Sequence, residues 1–124
     1  MDGEIVLADD HTLVLKYCTQ QLLPIWERWT DGNQTMRRAL EAAAQGPEHH
    51  KDQLNSLTDA AFLLFRSASQ PHAAAPLYSA IAVIYALQDY PLHVVIEAGL
   101  QAITMNATAE EELEYRLDRA NGCS

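Results

Sequence analysis

Glycine is scarce in this chain, with five in 124 residues and none beside another. That excludes a glycine-rich loop whose backbone N–H groups could cradle phosphate, and no G-x-S-x-G or H-E-x-x-H run supplies a nucleophile or a zinc site. Bases are also few: eight Lys and Arg against seventeen Asp and Glu, a formal net charge of −9. Nucleic acid is therefore excluded as a partner, because phosphate binding needs clustered bases. An anionic membrane surface is excluded for the same reason. The two cysteines, Cys18 and Cys123, are far apart and form no C-x-x-C or Cys/His metal spacing, which fits a reducing compartment. The opening MDGEIVLADD has neither the basic region nor the apolar run of a signal peptide, so the expected location is cytoplasmic.

What the chain does have is one charge-free stretch, AAAPLYSAIAVIYAL, from Ala73 to Leu87. A helix there is apolar nearly all round, which suits a central element packed on several sides. At 1.5 Å per residue it spans about 22 Å, short of the roughly 30 Å of a hydrocarbon layer. Pro76 is read as a first-turn proline of that helix, and Ala80, Ala82 and Ala86 let neighbouring backbones approach.

Amphipathic segments surround it. A helix opens at Asp9, Asp10 and Thr12 and meets Pro24, where a kinked continuation is expected to bury at least one of Trp26 and Trp29. Thr30 to Asn33 is a turn; Met36, Ala39, Leu40 and Ala43 share one side of the next helix, which Gly46-Pro47 ends. Leu54, Leu57, Ala61, Leu64 and Ala68 form the next apolar strip, read as widened by Phe62 and Phe65. After Tyr90-Pro91, Leu92, Val95, Ile96, Gly99, Leu100 and Ile103 form a core side opposite a polar strip of His93, Glu97, Gln101 and Thr104. Asn106 to Thr108 reads as a turn, with Thr108-Ala109-Glu110-Glu111 as a capping box opening a last helix. The expected fold is all-α: one helical domain over residues 1–124, a bundle or array of about six helices, mostly antiparallel neighbours. Residues 1–8 form a lead-in and 121–124 a tail.

Candidate sites are few. His49 and His50 are adjacent, so in a helix they diverge by about 100° and cannot share a metal. His93 and Glu97, one turn apart, have the spacing of an acid/base or metal-ligating pair. Acidic residues gather near both ends of the chain: Asp9 and Asp10 at one, Glu110, Glu111, Glu112, Glu114 and Asp118 at the other, beside Tyr115. If the ends meet in space, these make one negative face with aromatic anchors for a protein partner.

The run Leu23-Pro24-Ile25-Trp26-Glu27, then Arg37-Arg38-Ala39-Leu40-Glu41-Ala42-Ala43, then the alanine-rich helices over 73–105, resembles the helical immunity proteins of bacterial polymorphic toxin systems. The resemblance implies a small helical protein that binds and neutralises a cognate toxin. The chain departs from the family pattern at Met36-Arg37-Arg38, which lacks a proline between the arginines, and no site residue carries over.

The resulting expectation is an acidic interaction protein with no catalysis and no cofactor, blocking a basic protein such as a toxin. The alternatives are a metal-dependent or acid/base helical enzyme using His93 and Glu97, with His49 or His50 assisting, and a self-associating helical scaffold exposing part of 73–105.

Overall fold

Pro24 sets the geometry of the first rod. It has no N–H to give back, and its ring crowds the carbonyl four residues earlier. The chain answers by widening one turn. Helix α1 (Asp10–Tyr17) passes into a π-helical turn (Cys18–Leu22) and then into α2 (Leu23–Trp29), which carries Pro24 in its first turn. The Leu23 N–H reaches back to the Cys18 carbonyl, five residues away. The computed structural model describes residues 10–46, 48 and 50–122. The expected lead-in and the residues Asp9, His49 and Cys123 lie outside them.

Three of the remaining helices follow the sequence closely. Helix α3 (Thr35–Gln45) buries all four of its expected core residues, Met36, Ala39, Leu40 and Ala43. Asn33 starts it by accepting the Thr35 N–H at 2.8 Å, and Gly46, at φ 131°, ends it in a conformation that side chains rarely adopt. Helix α4 (Lys51–Phe65) buries Leu57 and Ala61. Helix α5 (Pro71–Leu87) begins two residues earlier than its charge-free stretch, so Pro71 takes the first turn and Pro76 lies inside the helix, a correction to its reading as a first-turn residue. Leu87 is buried and Ile81 and Ile84 are half-buried against the core.

The largest departure is at the C-terminal end. Helix α6 runs unbroken from Leu92 to Gly122, 31 residues. The expected turn at 106–108 does not form, and the expected six helices become five continuous rods among the described residues. The side chains that would cap a break are used otherwise. Asn106 Oδ1 accepts the Trp29 indole N–H at 2.7 Å, and the Thr108 hydroxyl donates to the Thr104 carbonyl at 3.1 Å along the helix. A second correction concerns Phe62, Phe65 and Leu100, expected on buried strips. They are 68%, 66% and 54% exposed.

One apolar cluster joins every rod, with Val14, Leu22, Trp26, Met36, Leu57, Val83 and Val95 at its centre. Helix α5 packs most extensively on α6 and next on α4. The connections 46–50, 66–70 and 88–91 are short, and each of α3 through α6 packs against its chain neighbour. No helix among the described residues is long and apolar enough to cross a membrane. The Tyr17 ring closes α1 onto α6 over Gly99, where an added Cβ would overlap the phenol oxygen and ring. Gly99→Ala therefore removes the mid-helix glycine penalty yet loses on the order of 1–3 kcal/mol to overpacking. Urea titration of Gly99→Ala, with and without Tyr17→Ala, measures this; a stabilised Gly99→Ala protein contradicts the close approach.

Candidate functional site: the acidic end of helix α6

Helix length creates this site. Thirty-one residues extend about 46 Å, whereas α5, its main packing partner, has seventeen and extends about 25 Å. The final turns of α6 therefore run past the body of the bundle, and every residue from Glu114 to Ala120 is exposed.

Three bases already belong to acids or aromatics on this helix or beside it. Arg28 of α2 grips Glu110 with two hydrogen bonds, both 2.9 Å, and lies 4.6 Å from the centre of the Trp29 ring. Arg116 pairs with Glu112 one turn earlier at 3.3 Å. Arg119 donates to the Tyr115 hydroxyl at 3.3 Å. Glu111, Glu114 and Asp118 are exposed and pair with no base in the described chain. With Tyr115 they follow i, i+3, i+4, i+7 spacing and line one open depression. The arrangement is a stripe of three free carboxylates around a phenol ring that is 60% exposed.

The other sequence candidates separate from this stripe. Asp10 shares a depression with His11, Asp89 and Leu92 at the opposite end of α6, about 28 Å along the helix from Glu111. Asp10 therefore does not share a face with Glu111, Glu114 and Asp118. Trp26 is 1% exposed and donates to the Asn33 carbonyl at 3.0 Å, and Trp29 is half-buried on Asn106, so of these aromatics Tyr115 alone is exposed, its hydroxyl accepting from Arg119. His50 is buried, with no partner for Nδ1. His93 and Glu97 are both exposed; Glu97 lines a groove of about 330 Å³ between α5 and α6 with Tyr78, Ile81, Tyr85 and Val94, and His93 is not part of its lining. Among the described residues no three His, Cys, Asp or Glu side chains are grouped to hold a metal. Cys18 is fully buried in the core, and burial pushes its thiol pKa up to about 12.

The sequence reading missed Arg28 as the base that takes Glu110 out of the acidic set. No local signal could supply it, since the two residues are 82 positions apart. The hydrogen bonds from Arg28 hold the Glu110 carboxyl below its ordinary pKa. The sign follows: a lowered folded pKa gives stability that is present above the ordinary value of 4.5 and lost as pH falls through the folded one. An NMR titration should place the Glu110 midpoint below 4.5, and Arg28→Gln should return it upward; an unchanged midpoint contradicts the pairing in solution.

The fold and this site define an all-α helical bundle that presents one acidic helix end. No protein-family model matches the sequence, and no curated protein or solved structure matches it either.

Proposed function

We propose that this is an interaction protein that binds a basic protein partner through the stripe at the end of α6 and blocks it by occlusion, with no chemistry of its own. The observation that carries the proposal is the set of three unpaired carboxylates around exposed Tyr115 on a helix that overhangs its bundle. A formal net charge of −9 draws a basic partner in, and the unpaired stripe gives it a landing surface. The sequence resemblance to immunity proteins makes a toxin the kind of partner expected. Immobilised protein, exposed to extract of the cells that produce it, should retain a strongly basic protein that raised salt releases. Retention of neutral or acidic proteins alone contradicts the proposal.

The groove between α5 and α6 favours a second reading, an acid/base or metal-dependent activity at Glu97 with His93 one turn away. Glu97 faces two tyrosines there. Metal content of purified wild type and His93→Ala decides it: metal retained only by the wild type supports this reading, and none in either contradicts its metal-dependent form.

A further inference from the structure

Helix α4 carries an apolar face that nothing among the described residues covers. Phe62, Leu63 and Phe65 are 68%, 74% and 66% exposed. Two aromatic rings and a leucine at that exposure leave roughly 350 Å² of apolar surface on one turn of helix, comparable with the largest patch on an ordinary monomer. A standard interface buries about 800 Å² per partner, so the patch forms the centre of such an interface and the rest of the helix its rim.

The rim indicates the occupant. Asp59, Phe62, Leu63 and Arg66 follow i, i+3, i+4, i+7 spacing and lie on one face. Asp59 precedes the Phe62–Leu63 pair by three residues and Arg66 follows it by three. Both ions are exposed and neither has an opposite charge to pair with in the described chain. An antiparallel crossing of two such helices about a two-fold axis at 62–63 places Phe62 of one copy against Leu63 of the other. The same crossing sets Asp59 of each copy facing Arg66 of its partner. A self-complementary patch is what a two-fold interface requires. Locally the face is neutral, so the charge of −9 carried by the whole chain is not concentrated where the copies meet.

We infer that the protein forms a two-fold homodimer through α4, with Phe62 and Leu63 at the centre and two Asp59–Arg66 ion pairs at the rim. This interface uses no residue of the α6 stripe, and it stands or falls separately from the proposed partner binding.

Sedimentation equilibrium of the full chain from about 1 µM to about 1 mM tests it. The wild type should show a reversible monomer–dimer equilibrium, weakened about 100-fold by Phe62→Glu. Asp59→Arg and Arg66→Asp alone should each weaken it about tenfold, because like charges then face each other at both rims. An equimolar mixture of those two single variants should associate as well as the wild type, since every rim pair in the mixed dimer is again of opposite sign. All three substituted side chains are exposed, so circular dichroism should show unchanged helix content. A strict monomer overturns the inference and leaves the face to a different partner. A dimer indifferent to Phe62→Glu overturns the surface, and a mixture no better than its components overturns the antiparallel register.

Discussion

Trp26→Ala should cost about 4 kcal/mol of folding stability, at the upper end of core truncations. Three effects add. The indole is 1% exposed, so its apolar area returns to water on unfolding and leaves a large cavity when removed. It also donates to the Asn33 carbonyl at 3.0 Å, in the turn that starts α3, and truncation leaves that carbonyl without its partner. Finally, it sits one turn beyond the π-helical turn and Pro24, where the chain has little room to relax into the void. Domains of this size have total stabilities of about 5–15 kcal/mol, so the variant approaches global unfolding. Trp26→Phe refills most of the volume and should lose about 2 kcal/mol. Urea midpoints measure both; a Trp26→Ala loss below about 1 kcal/mol contradicts the central position of the residue.

Reversing the stripe, with Glu111→Lys, Glu114→Lys and Asp118→Lys together, should weaken binding of a basic partner by roughly 100-fold or more. Each substitution both removes an attraction and adds a repulsion, and the three act on one helix face. Association rate should fall most, since exposed charges steer encounter more than they hold the complex. Stability should change little, because the three side chains are solvated and engage no base in the described chain. Tyr115→Ala should act on the dissociation rate instead, as the loss of an aromatic contact does. Surface plasmon resonance separates the two effects; equal affinities of wild type and triple variant for the captured partner contradict the assignment.

Where the fold was legible, periodicity and charge did the work. The charge-free run from Ala73 to Leu87 marked the core helix because no other arrangement hides so many uncharged side chains. The spacing of Met36, Ala39, Leu40 and Ala43 marked the buried side of α3. Pro24 was read as a kink, and the structure resolves it as a π-helical turn. The errors share one cause, which is tertiary context. Asn106 and Thr108 are turn and cap residues by local chemistry, but Trp29, 77 positions earlier, takes the amide oxygen and keeps α6 unbroken. Phe62 and Phe65 continue a helical apolar strip in sequence, yet the strip is wider than the surface available to cover it.

The candidate site was legible in part. Glu111, Glu114, Asp118 and Tyr115 stand out by composition, and the structure brings these four onto one face. Glu110 and Glu112 were marked equally but are held by Arg28 and Arg116. Asp10 was marked and lies at the far end of the longest helix, because the unbroken α6 carries the last acids away from the start of α1.

Hydrogen–deuterium exchange of the protein alone and saturated with its captured basic partner tests the central claim most directly. In the free protein the amides of the last α6 turns should exchange fast, since these turns overhang the bundle. Binding should slow exchange over residues 111–118 and leave the α5–α6 groove unchanged. Protection confined to that groove, with residues 111–118 exchanging as fast as before, would contradict the account.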